Sequence, residues 1–148
     1  EFFFVTTGAQ LLHFPASLVR PQGRNAGGMA GIALSGNDKV CYFEALTPGK
    51  NTIVATIASS SVALPGTSGS LKLSALSEFP GKGRATGGVR CQKFLKGEDE
   101  IAVAWVGNTP MRAGAANGAP IECDLPLSKR DASGVALPGP IAGFAGPR

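Results

Sequence analysis

One short pattern occurs three times along this chain and limits how it can fold. It consists of an arginine, three spacer residues, a glycine and an apolar residue, and its arginines are Arg24, Arg84 and Arg130. The copies are therefore spaced by 60 and 46 residues, which is room for about four short strands each. Repeats of this length are typical of propeller blades and not of helical solenoids.

The composition favours the same fold class. The 148 residues include 21 glycines and 11 prolines, a content that long helices tolerate poorly but that loop-rich β proteins use in their turns. With 43% hydrophobic and 16% charged residues, a chain of this size can bury one core. We therefore expect a single all-β domain over residues 1–148, with repeats at about 2–46, 52–107 and 111–145.

Within each repeat the sequence predicts the order strand, turn, strand, cationic glycine loop, strand, turn, strand. Apolar and β-branched runs alternate with clusters of Gly, Pro, Asn and Asp, which mark strands and turns. In the first two repeats the predicted strands are residues 2–7, 10–14, 29–34 and 39–43, then 52–58, 70–74, 89–95 and 101–106. The third repeat follows the same order in an eroded form.

Positive charge is concentrated in one stretch. The net charge of +4 is modest, but residues 79–97 contain five cations and no acid, and an acidic turn at residues 98–100 follows them. A local basic patch of this kind indicates an anionic partner. The five cations are Lys82, Arg84, Arg90, Lys93 and Lys96.

The sequence offers no catalytic set, metal site or cofactor motif. The one histidine, His13, stands in an apolar run, where a packed residue is the commoner reading than a catalytic base. The acidic turn at residues 98–100 could bind a metal ion but is typical of a solvated loop. The Gly-Lys-Gly at residues 81–83 lacks the Lys-Ser/Thr of a phosphate-binding loop. We expect no catalytic residue, no metal and no cofactor.

The cysteines and the hydropathy indicate the cellular compartment in which the protein resides. Three widely separated cysteines without a Cys-x-x-Cys pair favour a reducing cytoplasm over a disulfide framework or a zinc site. No apolar run approaches the roughly 20 residues of a membrane span, so we expect no membrane partner. The chain begins with Glu1, and we expect it to be a piece of a longer protein.

The middle repeat resembles a blade of a known family. Gly-Ser-Leu-Lys at residues 69–72, Leu-Ser-Glu-Phe at 76–79, Gly-Arg at 83–84, Gly-Val at 88–89 and the acidic turn into Ile101 are similar to the C-terminal domain of the A subunit in bacterial type IIA topoisomerases, DNA gyrase and topoisomerase IV. The first repeat has Leu12 or His13 where the family has a lysine. The third lacks the acidic-aromatic pair and the acidic turn.

The resemblance implies a β-pinwheel, a propeller-like disc whose basic rim binds and bends double-stranded DNA without sequence specificity. This chain would supply about three four-stranded blades, a partial or shortened disc. The implied partners are duplex DNA, the remaining domains of the parent chain and the ATPase subunit, in the bacterial cytoplasm at the nucleoid. The family's catalytic tyrosine belongs to another domain. The glutamine and basic pair that mark gyrase are degenerate at residues 22–28, which favours a topoisomerase IV-like role.

Two readings of the repeated arginines stay open: they contact phosphates, or they hydrogen-bond loop carbonyls and only brace the blades. If all basic loops are structural, the alternative function is a propeller-like protein-interaction module, while an intact small enzyme is disfavoured by the missing catalytic groups. The candidate DNA contacts are Arg20, Arg24, Lys72, Lys82, Arg84, Arg90, Lys93, Lys96, Lys129 and Arg130.

Overall fold

The computed structural model describes residues 1–64 and 69–147, and these residues form an all-β fold. In this part of the chain there are two short 3-10 helices, Ala16–Leu18 and Leu76–Glu78, and no helix has the length and apolar character needed to cross a bilayer. The strands are β1 Phe2–Thr6, β2 Gln10–Phe14, β3 Val40–Ala45, β4 Thr52–Ser59, β5 Ser70–Ala75, β6 Val89–Arg90, β7 Glu100–Asn108, β8 Arg112–Gly114, β9 Pro120–Ile121, β10 Val135–Ala136 and β11 Gly143–Ala145.

The strands form three antiparallel sheets that exchange strands across the repeat boundaries. The first sheet has the order β3-β1-β2-β6, the second β7-β4-β5-β10 and the third β11-β8-β9. Each repeat thus builds its own sheet from its first, second and last strands. In the second and third repeats the third strand pairs instead with the second strand of the preceding repeat, as Val89 does with Leu11 and Val135 with Leu71. Each exchanged strand therefore connects two successive sheets.

The exchange corrects three predictions. Residues 29–34 form no strand, although they follow the same arginine-glycine pattern as residues 89–95. Residues 89–95 contribute only Val89–Arg90 to a ladder, and the third sheet has three strands among the described residues instead of four. The common reason is that the exchanged segment becomes a strand only over the length that an adjacent sheet edge offers it.

Two apolar layers lie between the sheets. One packs Phe3, Val5 and Leu11 of the first sheet against residues of the second, including Val54 and Val106. The other packs the opposite face of the second sheet against the third repeat. Because successive side chains of a strand point to opposite faces, β4 is buried on both sides, and its seven residues from Thr52 to Ala58 are all buried. The second sheet is the centre of the molecule.

Candidate nucleic-acid interface

Each repeat has one cationic loop that runs into its exchanged position: the first cationic loop is residues 20–34, the second residues 80–90 and the third residues 129–135. The second lies against the first. Ala85 N donates to Gly31 O over 2.6 Å, and Ala33 N donates to Thr86 O over 3.0 Å. The third lies in the same way against the residues that follow the second, because Lys93 N donates to Ala132 O over 3.0 Å. Strand exchange therefore places the basic loops in succession.

The repeated arginines brace neighbouring repeats. Arg84 donates from Nη1 to the carbonyl oxygen of Ala30 over 2.7 Å, and Arg130 donates from Nη1 to the carbonyl oxygen of Arg90 over 3.5 Å. Ala30 and Arg90 occupy the same place in their repeats, six residues after the arginine. Both bracing arginines are half-buried. Their geometry supports the bracing role that the sequence left as one of two alternatives.

Lys72 is a correction to the predicted contacts. Its side chain is buried, with 2% of the residue exposed, so it cannot reach a DNA backbone. The ammonium donates to Ser74 Oγ over 2.7 Å and to the carbonyl oxygens of Lys129 and Arg130 over 2.9 and 2.8 Å. Lys72 thus donates two of its three protons to the third cationic loop, which it holds on the second sheet, and the other to Ser74 of its own strand.

Burial is also the main influence on the Lys72 ammonium. Desolvation lowers its pKa from 10.5 to about 8, with Arg130 acting in the same direction, while Cys91, Asp131 and Glu78 oppose the shift. The two carbonyl oxygens stabilise the positive charge of the ammonium where it is buried. The charge therefore stabilises the fold and is not exposed to a partner.

The remaining candidates are at the surface. Lys82 is exposed, but its ammonium donates to the carbonyl oxygen of Gly87 over 3.0 Å and closes its own loop. The other exposed cations among the candidates have no side-chain hydrogen bond or ion pair in the described part of the chain. They are Arg20, Arg24, Arg90, Lys93, Lys96 and Lys129. Arg90 ends the second cationic loop, and Lys93 and Lys96 follow it on the segment that leads to the acidic turn.

The acidic turn at residues 98–100 is occupied by internal hydrogen bonds. Glu98 accepts bonds from Ser70 Oγ over 2.6 Å and from Leu95 N over 2.7 Å. Asp99 accepts from the hydroxyl and the backbone N–H of Ser61, which lower the pKa of its carboxyl group. No cluster of three or more metal-ligating side chains occurs within residues 1–64 and 69–147. The carboxylates of this turn therefore stabilise the local fold next to the exposed cations.

His13 is a packed residue, as its apolar surroundings predict. Its ring stacks on Phe3 with centroids 5.4 Å apart, Nδ1 lies 2.5 Å from the Glu1 carboxylate and Nε2 lies 3.0 Å from Phe79 O.

The two 3-10 helices begin 60 residues apart in the sequence, at residues 16 and 76, so the counterpart of Lys72 is Leu12 and not His13. The sequence had left these two open.

The acceptors of the arginine braces were not identified from the sequence. Ala30 O and Arg90 O are backbone atoms, so no residue type marks them. The only signal was the spacing itself, six residues after each repeated arginine, and it becomes meaningful once the exchange between repeats is known.

A family model matches parts of the first two repeats. The family is described as the DNA gyrase C-terminal domain, a beta-propeller, and the match covers residues 1–41 and 66–104. These stretches contain the first and second cationic loops and the acidic turn, while the third cationic loop lies outside them. The matched residues therefore include two copies of the repeated arginine-glycine pattern.

Two known proteins show the extent of the similarity. The A subunit of DNA gyrase from Dehalogenimonas lykanthroporepellens is 31% identical over 102 residues, which are 69% of this chain and 11% of that protein. A solved structure of the C-terminal domain of DNA topoisomerase IV superposes with a TM-score of 0.74 at 22% identity, covering 97% of this chain and 45% of the other. The chain thus spans about a tenth of that gyrase protein and about half of that solved domain, and the second likeness is one of fold.

Proposed function

Because the chain belongs to the DNA gyrase C-terminal domain family, we propose that it binds double-stranded DNA without sequence preference and bends it. The predicted relationship to the A subunit of type IIA topoisomerases and the predicted pinwheel fold are confirmed. Within such a subunit the chain belongs to the accessory C-terminal domain, and its proposed task is to guide DNA for catalysis by other domains.

The observation that carries the proposal is the separation of two kinds of cation. Arg84 and Arg130 brace the loops through carbonyl oxygens, while Arg90, Lys93 and Lys96 extend from the braced framework into solvent. A phosphate backbone requires only cations at suitable spacing, because neutralising each phosphate releases counterions and no base is read. The framework fixes the loops, and the exposed cations supply the attraction.

Bending requires several such contacts in succession. Smoothly bending 20 to 30 base pairs costs on the order of 1 to 6 kcal/mol, which one patch does not offset. The three cationic loops lie one after another because each contacts the next through exchanged residues. Arg20, Arg24 and Lys129 extend the exposed charge along this succession.

The finer assignment is a topoisomerase IV-like role. Residues 22–28 read Gln-Gly-Arg-Asn-Ala-Gly-Gly and contain one basic residue in place of a basic pair. We propose that the chain supports DNA capture without the chiral wrapping that drives negative supercoiling. Its proposed partners are duplex DNA, the remaining domains of the parent chain and the ATPase subunit, with the bacterial nucleoid as the proposed location.

A second candidate function is a protein-interaction module with structural basic loops. The observation that favours it is the use of Arg84, Arg130, Lys72 and Lys82 for carbonyl hydrogen bonds. Four of the ten candidate cations thus have an architectural role, which an interaction module would also require.

Equilibrium binding to random duplex DNA separates the two. We expect fluorescence anisotropy with a labelled duplex of about 30 base pairs to give an affinity that falls at least about 100-fold between about 50 and about 200 mM salt. Unrelated duplex sequences should bind equally. Absence of binding at low salt would leave the interaction module as the better account.

A further inference from the structure

The second and third cationic loops are held on the preceding repeat in different ways. Arg84 Nη1 donates to a carbonyl oxygen of the preceding repeat over 2.7 Å, and two backbone hydrogen bonds join the same loops. The corresponding bond of Arg130 is 3.5 Å long and therefore weaker. The third loop also receives the ammonium of Lys72, at a position where the first repeat has Leu12. A buried cation thus supplements the longer arginine bond.

The Lys72 ammonium contacts the part of the third loop from which Lys129 extends. It donates to the carbonyl oxygens of Lys129 and Arg130 over 2.9 and 2.8 Å. Just before this pair, Ser128 N donates to Leu73 O over 2.7 Å. Hydrogen bonds from a charged donor are roughly twice as strong as those between neutral groups. The two bonds from Lys72 therefore fix the backbone of the loop at Lys129.

The placement of this backbone matters because the loop carries exposed charges of both signs. Lys129 attracts a phosphate, and Asp131, two residues further on, repels it. A lysine side chain also loses less freedom on binding when its backbone is already fixed. Lys72 itself is 2% exposed, so any influence that it has on DNA passes through the loop.

Resting on the DNA binding proposed above, we propose that Lys72 is a positioning residue for it. Its ammonium fixes the third cationic loop so that Lys129 contacts a phosphate while Asp131 stays away from the DNA backbone. The first repeat, with Leu12 at this position, has no such device. The contribution of Lys129 to DNA affinity therefore depends on Lys72.

A double-mutant cycle on DNA affinity tests this dependence. In the wild type, Lys129→Gln should weaken binding to random duplex DNA about fivefold and reduce the slope of log affinity against log salt by about 1. In the Lys72→Met background the same substitution should change neither quantity, because Lys129 is then no longer held at a phosphate. If Lys72 acted only through its own charge or through global stability, Lys129→Gln would keep its full effect.

The control is Lys96→Gln, an exposed cation that the Lys72 ammonium does not contact through a hydrogen bond in the described part of the chain. It should weaken binding by the same factor in both backgrounds. Lys72→Gln, which is polar but shorter and uncharged, provides the second background if the methionine variant does not fold.

Amide hydrogen exchange of the DNA-free chain follows the same loop without DNA. Ala132 N donates to Lys129 O over 3.1 Å, and at pH 7 this amide should exchange at least about tenfold faster in Lys72→Met than in the wild type. The amides of β4 are the reference for global unfolding.

The outcomes separate this inference from the proposed function. A wild-type chain that does not bind DNA overturns the proposed function and this inference with it. A chain that binds DNA, but in which the effects of Lys72→Met and Lys129→Gln are additive, overturns this inference alone. Unchanged exchange at Ala132 overturns it as well.

Discussion

The first and second cationic loops have nearly the same sequence pattern and different structures. Residues 24–29 and 84–89 both run from an arginine through a glycine to an apolar residue. In the second loop the arginine braces Ala30 and the following Val89 pairs with Leu11. In the first loop the corresponding residues are exposed or irregular. The pattern thus encodes a turn and a candidate strand, and the neighbouring sheet decides whether the strand forms.

The largest expected difference between the loops is at their glycines. In Gly88→Ala the new methyl group overlaps the Leu11 backbone, which cannot move without breaking the first sheet, so we expect a loss of about 3 kcal/mol of unfolding free energy. In Gly28→Ala the space is open, and only the φ of +82° is unfavourable, which costs about 1 kcal/mol. Urea denaturation of both variants measures this. Equal losses would show that close packing at Gly88 is not what distinguishes the loops.

Lys72 and its counterpart Leu12 give the next effect, which depends on pH. The folded-state pKa of Lys72 is lowered from 10.5 to about 8, mainly by burial. Above about pH 8 the folded chain therefore releases a proton that the unfolded chain keeps until about pH 10.5. The unfolded state then binds more protons, so stability rises with pH in this window. Below it, the folded state carries the cost of the buried charge.

Lys72→Met isolates this contribution from all other titrating groups. We expect the wild type to gain about 2 kcal/mol relative to the variant between about pH 8 and about pH 10. Denaturation of both proteins over this range provides the measurement. A difference that does not change with pH would mean that the ammonium is not desolvated in the folded chain. The Leu12 position offers no such titration in the first repeat.

The arginines give the smallest difference in stability. Arg84→Ala removes a 2.7 Å hydrogen bond to Ala30 O and should cost about 1 kcal/mol. Arg24→Ala removes an exposed side chain and should change stability by less than about 0.5 kcal/mol. Thermal unfolding at low protein concentration compares the two. If Arg24→Ala were as costly as Arg84→Ala, the first loop would be braced as the second is.

The sequence predicted the fold class and most strands because apolar alternation and turn residues are local signals. The hairpin of β1 and β2 and the long strand β4 lie within two residues of their predicted ends. It missed the exchange of strands, because residues 29–34 and 89–95 follow the same arginine-glycine pattern and no local signal shows which of them has a sheet edge beside it. The same non-local cause concealed the burial of Lys72, whose two carbonyl acceptors are 57 and 58 residues away.

For the candidate interface, the sequence identified the basic segment but not which of its cations bond carbonyl oxygens of the fold and which extend into solvent. Lysine and arginine types say nothing about whether a carbonyl oxygen lies within reach. Arg84 and Arg130 have such acceptors, and Arg90, Lys93 and Lys96 extend into solvent. The second group is therefore the sharper prediction for DNA contact.

The most direct test of DNA binding by the exposed cations is the salt dependence of a variant that lacks three of them. For Arg90→Gln with Lys93→Gln and Lys96→Gln, the slope of log affinity against log salt on random duplex DNA should shrink by about 2 to 3, at an unchanged melting temperature. Lys39→Gln with Lys50→Gln, exposed cations outside the cationic loops, is the matched control and should keep the wild-type slope. A triple variant with the wild-type slope and affinity would contradict the account.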